Sequence, residues 1–197
     1  MQSGLPVGVA AFVGRERERA KVADLVAEAR VVTLTGSGGC GKTRLAVEVA
    51  GDVTSRFSDG ACWVDLQGVS ESGLVAPAIS AGVDVHERPG QALTDTLAEQ
   101  LQARNLLVVL DNCEHLAGEC ARFVEQLLGV AARLHVVATS REALGVSGEL
   151  QLPVGPLPEA DAVALFADRA CRVRRTSPSR TAGRRCAASA NGWTVCP

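Results

Sequence analysis

The sequence predicts an α/β fold in which a parallel β-sheet carries helices on both faces. Short apolar runs rich in β-branched residues alternate with longer stretches that are apolar at helical spacing. One run, Leu106 to Leu110, is apolar at every position, the signature of a central strand buried on both sides. A glycine-rich loop, Gly36 to Thr43, joins one such run to one such stretch.

In chain order, residues 1–11 form an irregular lead. Phe12 to Glu18 is a charged entry to a helix whose inward face is Val22, Leu25, Val26 and Ala29. Val31 to Thr35 reads as a buried strand. After the glycine loop, Leu45, Ala46, Val49, Ala50 and Val53 recur at helical spacing. Ala61 to Leu66 is a second strand behind an Asp59-Gly60 turn. The stretch 68–90 is poorly patterned, with one short helix expected at Leu74 to Ile79. Gln91 to Ala103 is helical on the spacing of Leu93, Leu97 and Leu101. The strand Leu106 to Leu110 ends in Asp111. A helix is expected from Glu114 to Leu128, with Leu116, Cys120, Phe123, Leu127 and Leu128 inward. Leu134 to Ala138 is another buried strand and runs into Thr139, Ser140 and Arg141. Glu149 to Leu152 supplies a fifth strand, and Pro153, Pro156 and Pro158 stiffen the connector behind it. Ala162, Val163, Phe166, Ala167 and Ala170 form one face of a last helix.

Composition narrows the function classes. The 197 residues are 47% apolar but only 3% aromatic, so the core is aliphatic. A net charge of −2 gives no global electrostatic case for nucleic acid or membrane. The apolar runs are too short to cross a bilayer, and residues 1–11 lack the basic start of a secretory signal. A cytoplasmic location is the expectation. Seven cysteines, an odd number without regular spacing, suggest no disulfide frame. Cys113, His115 and Cys120 lack a second ligand pair at zinc-finger spacing, so they read as buried thiols and a surface histidine.

The loop Gly36-Ser37-Gly38-Gly39-Cys40-Gly41-Lys42-Thr43 matches G-x-x-x-x-G-K-[ST] in full, between a strand and a helix. That is the P-loop NTPase arrangement, and the chemistry requires it. Glycines let successive backbone N–H groups turn toward phosphate oxygens, and the helix behind adds its positive end. Lys42 suits the β- and γ-phosphates, and the Thr43 hydroxyl suits Mg²⁺. Asp111, at a predicted strand end, can hold a water of the magnesium shell; it could equally cap the next helix. Glu114 could orient or deprotonate water, or be an ordinary acid of a first helical turn. Arg141 could reach a γ-phosphate or lie solvated after Ser140. The loop, Asp111 and Arg141 share the carboxyl ends of strands, where ligands of parallel sheets bind.

Four segments, in order and at sensible spacing, resemble a known family: Phe12 to Glu16, Val32 to Ala46, Leu110 to Leu116 and Ala138 to Leu144. They are similar to the NB-ARC-like ATPase domains of STAND-class bacterial regulators, the LuxR- and AfsR-type transcriptional regulators. The resemblance spans about Phe12 to Ala170, setting an ATPase domain at 12–171. It implies a Mg-ATP/ADP switch with slow hydrolysis, off with ADP and oligomeric with ATP. It also places Val13, Gly14 and Arg15 at the adenine, Gly36 to Thr43 on phosphates, Asp111 at magnesium and Arg141 at the γ-phosphate. One departure is Asn112, where NB-ARC domains usually carry a second acid; efficient hydrolysis is not expected of it.

Such regulators carry a DNA-binding domain ahead and helical repeats behind. This sequence has room for neither, and it lacks the Arg-Leu-Asp-Gly-Leu-Pro segment that follows the last helix in the family. A truncated regulator ATPase is therefore expected, with no direct DNA contact and no membrane contact. The tail Arg172 to Pro197 has six arginines, no acid and no periodicity. It reads as a disordered terminus, a basic arm or a frameshift product. With GC-rich synonymous codons, Ala190 to Pro197 encodes Glu-Arg-Leu-Asp-Gly-Leu-Pro two bases out of frame, which points to a frameshift near Arg172 to Arg175. Two function classes stay open beside the switch: a nucleotide-binding remnant or adaptor without hydrolysis, and a small-molecule kinase, for which no acceptor site is visible.

Overall fold

The computed structural model describes residues 4–6 and 12–176, with 172–176 as backbone alone. The elements are α1 (Glu16–Glu28), β1 (Val31–Thr35), α2 (Lys42–Val53), β2 (Ala61–Asp65), α3 (Val75–Gly82), α4 (Leu93–Leu101), β3 (Leu106–Asp111), α5 (Ala117–Val130), β4 (Leu134–Ser140), β5 (Glu149–Pro153) and α6 (Glu159–Thr176). The five strands form one sheet in the order β2-β3-β4-β1-β5. Every pairing is parallel, as the alternation of strands and helices requires.

The sheet separates two apolar layers. On one face α1 and α2 pack Val22, Val26, Leu45 and Val49 against Val32, Leu34, Leu107, Val109 and Val137. On the other, α3, α4 and α5 bring Ile79, Leu97, Leu101, Phe123 and Leu127 onto Val108, Leu110, Leu134 and Val136. All six residues of β3 are buried, which explains its unbroken apolar run. A fully buried leucine here contributes roughly 1.5–3 kcal/mol, and Leu34, Leu45, Leu97, Leu101, Leu107, Leu110 and Leu134 are all below 2% exposed. Among the described residues, no helix is long and apolar enough to cross a membrane.

Three expectations need correction. The helix expected from Glu114 is broken: Cys113–His115 is a 3₁₀ turn, and α5 begins only at Ala117. Asn112 just before it takes a left-handed backbone, φ 62°; with Leu116 outside the helical region at φ −130°, ψ 24°, a continuous helix cannot form. Glu114 therefore sits in a tight turn. Second, β2 stops at Asp65, one residue earlier than expected. Third, the short helix runs over Val75–Gly82, and Leu74, its expected first residue, is 45% exposed. The last helix forms as expected, and its apolar face is largely exposed: Val163 is 53% and Phe166 75% exposed. The helix continues to Thr176. The tail readings concern 172–197, of which 177–197 lie outside the described residues. Cys113 and Cys120 are buried and His115 is exposed, as read.

Candidate functional site

Glycine geometry shapes the loop between β1 and α2. A Cβ at Gly36 would stand 2.4 Å from the Val154 carbonyl oxygen, so only glycine lets the loop leave β1 beside the end of β5. Gly41, at φ 96°, is the left-handed residue from which α2 starts. Lys42, the first residue of α2, is only 7% exposed. Its ammonium donates to the carbonyls of Gly36 at 2.8 Å and Ser37 at 3.0 Å, so the loop is clasped by its own lysine.

Below the loop, side chains from three strand ends and α2 converge. The Thr43 hydroxyl donates to Asp111, 2.8 Å to Oδ1 and 3.1 Å to Oδ2. The Thr139 hydroxyl, from β4, also donates to Asp111 Oδ1. Asn112 Nδ2 donates to Asp111 Oδ2 at 3.1 Å and to Asp65 Oδ1 at 3.2 Å. Asp111 is 2% exposed. Burial raises its carboxyl above the usual carboxylate range; the Thr139 and Thr43 hydroxyls pull it back, and the negative charge of Asp65 pushes it up again. Glu114 Oε1 pairs with Arg141 Nε at 3.3 Å, while its buried Oε2 has no partner. Arg141 is mostly exposed, and its guanidinium reaches the loop: a Cβ on Gly38 would lie 4.0 Å from Arg141 Nη2.

The segment before α1 is anchored by a buried arginine. Arg15 is 4% exposed, in the left-handed region at φ 64°. Its Nη2 donates to the Cys40 carbonyl of the loop and to the Gly155 carbonyl behind β5, both at 2.7 Å. The guanidinium thus ties three segments together. Gly14, at φ 72°, lets the first turn of α6 approach, since a Cβ there would meet Asp161 Oδ2 at 2.4 Å. A cavity of about 840 Å³ opens beside the loop between Phe12 and Val13 on one side and Pro156, Leu157, Leu165 and Phe166 on the other. A second, of about 430 Å³, is lined by Gly38, Gly41, Lys42, Thr43, Asn112 and Glu114.

Of the residues singled out in the sequence, Val13, Arg15, Ser37 to Thr43 and Glu114 line two neighbouring cavities at the carboxyl ends of the strands, whereas Gly14, Gly36, Asp111 and Arg141 line neither. Sequence reasoning missed Asp65, Thr139, the α6 contribution and the bridging use of Arg15. Thr139 and Asp65 each stood at or next to a predicted strand end, which was the available signal.

This fold and this loop define a P-loop nucleotide-binding domain of the α/β type. The NB-ARC domain matches residues 16–155, and the chain belongs to the NB-ARC family. A Mycobacterium tuberculosis protein described as an HTH-type transcriptional regulator is 46% identical over 151 residues, covering 76% of this chain and 17% of that protein. The regulatory protein AfsR of Streptomyces coelicolor is 28% identical over 183 residues, covering 82% of this chain and 18% of AfsR. The chain thus spans less than a fifth of these relatives. In structure, it is similar to a STAND protein with a tetratricopeptide repeat sensor from Pyrococcus horikoshii, at TM-score 0.56 and 19% identity, covering 89% of this chain and 27% of that one. Cdc6p from Pyrobaculum aerophilum shares the fold at TM-score 0.63 and 17% identity, covering 85% and 52%.

Proposed function

We propose that the domain, residues 12–171, binds ATP and ADP with Mg²⁺ as a regulatory switch of a bacterial transcriptional regulator, with at most slow hydrolysis. The observation that carries this reading is the contact of Thr43 with Asp111 directly beneath a loop clasped by Lys42. The donor set fits magnesium: a hydroxyl and a carboxylate are hard oxygen ligands. Among the described residues no group of three or more His, Cys, Asp or Glu is gathered to cage a metal alone, and Mg²⁺ characteristically shares few protein ligands with phosphate. Thr43 would hold the ion directly and Asp111 through water; the ion, when bound, neutralises phosphate charge.

The remaining roles follow from position. Gly36 to Gly41 present backbone N–H groups to the phosphates. Lys42 exchanges its two carbonyl partners for β- and γ-phosphate oxygens, a charge-assisted contact. Arg141 meets the γ-phosphate and Glu114 orients water. Val13 and Arg15 line the larger cavity, which takes the base and ribose, with Gly14 between them in the chain. Self-association through this domain, a cytoplasmic location and the absence of direct DNA and membrane contact belong to the same proposal.

Asn112 favours a second reading, an adaptor that binds without hydrolysis, because an amide cannot accept a proton from water. One experiment addresses both. Purified protein is titrated with labelled ATP and ADP, with Mg²⁺ and with EDTA, and phosphate release is then followed. Magnesium-dependent binding with slow release supports the switch, and binding without release supports the adaptor. No binding of either nucleotide removes both.

A further inference from the structure

We propose that Asp65 and Asn112 act together as positioning residues that hold Asp111 in place for the magnesium ion, an inference that rests on the nucleotide reading above. Asp65 ends β2, and in the parallel pairing its register partner on β3 is Asp111. Adjacent strands lie about 4.8 Å apart, and register partners of a parallel pair point to the same face. Two carboxylates so placed repel unless a donor stands between them. Asn112 is that donor: its one amide nitrogen reaches Asp65 Oδ1 at 3.2 Å and Asp111 Oδ2 at 3.1 Å.

Both ends of the bridge are fixed. Asp65 Oδ1 also accepts from the Gln67 backbone N–H at 2.8 Å, which keeps the carboxylate turned toward Asn112. The Asn112 backbone donates to the Thr139 hydroxyl at 3.0 Å, and its φ of 62° is one that asparagine tolerates better than most residues. Asp111 Oδ1 is taken by Thr43 and Thr139, and Oδ2 by Thr43 and Asn112, so neither oxygen is free to swing away. An aspartate at 112 would bring a third carboxylate to this point and remove the only donor between the other two. The amide at 112 is thus the complement of the acid at 65. Residues that orient metal ligands from behind commonly alter metal affinity about ten- to a hundredfold when removed.

The test measures labelled ADP binding by the full chain over a Mg²⁺ series and in EDTA. Asp65→Ala is expected to raise the Mg²⁺ concentration needed for half-maximal effect about tenfold, with EDTA affinity unchanged. Asp65→Asn keeps an acceptor for Asn112 and should restore the wild-type Mg²⁺ dependence. Asn112→Gly, which retains the positive φ, should match Asp65→Ala, and the double variant should lose no more than either single one. Unchanged Mg²⁺ dependence in Asp65→Ala, failure of Asp65→Asn to rescue, or additive losses overturn the proposal. Urea unfolding of the nucleotide-free protein gives an independent reading: the 65 and 112 substitutions must be non-additive there too, and additivity overturns the proposal whatever the nucleotide does. Wild-type protein that binds no nucleotide, with the 65–112 coupling intact in urea, defeats the nucleotide reading and leaves the bridge standing.

Discussion

At the phosphate end of the site, Lys42 and Asp111 are buried and each makes at least two hydrogen bonds to fixed partners. At the other end, the wall of the larger cavity is α6, which has no buried residue from 159 to 171 and carries Phe166 at 75% exposure. One half of the site is built before any ligand arrives; the other is an open wall. The contrast teaches where binding energy is stored. A preorganised half costs little to order on binding, whereas an exposed aromatic wall gains its burial only when a ligand covers it.

The comparison breaks most sharply at Lys42. Lys42→Ala removes a charge-assisted contact of roughly 1.5–3 kcal/mol, so affinity for ATP and ADP should fall about ten- to over a hundredfold. Fluorescence titration checks it, and unchanged affinity would show that the clasped lysine is only structural. Next comes Asp111→Asn, expected to lose Mg²⁺-dependent affinity while Mg²⁺-free binding stays near wild type; equal losses in both conditions would mean that Asp111 holds the fold.

The same variant has a signed pH effect. Asp111 has a raised carboxyl in the folded state, so the native protein holds a proton that the unfolded chain has released. Wild-type stability should therefore fall as pH rises from the usual carboxylate range through the raised folded value, then level off. Asp111→Asn lacks that decline, and urea midpoints against pH for the two proteins, without nucleotide, measure it. A wild-type curve that rises through this window has the opposite sign and rejects the environment described for Asp111.

Arg141→Ala is expected to do less. Its exposed guanidinium is paired with Glu114, and its loss should shrink the preference for ATP over ADP by up to about tenfold, the scale of a partly solvated charged contact. If ADP affinity falls as far as ATP affinity, the γ-phosphate role is wrong. The smallest effect on the fold belongs to Phe166→Ala. An exposed side chain away from packed features changes stability by within about 0.5 kcal/mol, although nucleotide affinity should drop severalfold if the base lies on that wall. A melting loss as large as that of a core leucine would show α6 to be packed, and the contrast between the two halves would collapse.

How much of this was legible follows the same divide. The loop, β1, β3 and Asp111 are local facts: glycine spacing, an apolar run and the residue that ends it. They were found in the sequence because the backbone there dictates them. The Asp65–Asn112–Asp111 bridge joins two strands through a bond between residues 47 apart in sequence, and its donor geometry depends on strand register. The break before α5 depends on one left-handed residue, which composition does not reveal. The helical spacing of α6 was legible as periodicity, but periodicity states which residues share a face and not whether anything covers it. Arg15 carried a motif reading, yet its bond to Gly155 spans 140 residues.

That span has a consequence for biosynthesis. The phosphate loop is translated well before β5, but Gly36 is shaped against Val154 and Cys40 is held through Arg15 to Gly155. Strand β5, which lies at the sheet edge against β1, is the last of these five strands to be translated. Contacts of such long sequence separation close late. The surroundings of the loop therefore stay unfinished until residue 155 has left the exit tunnel.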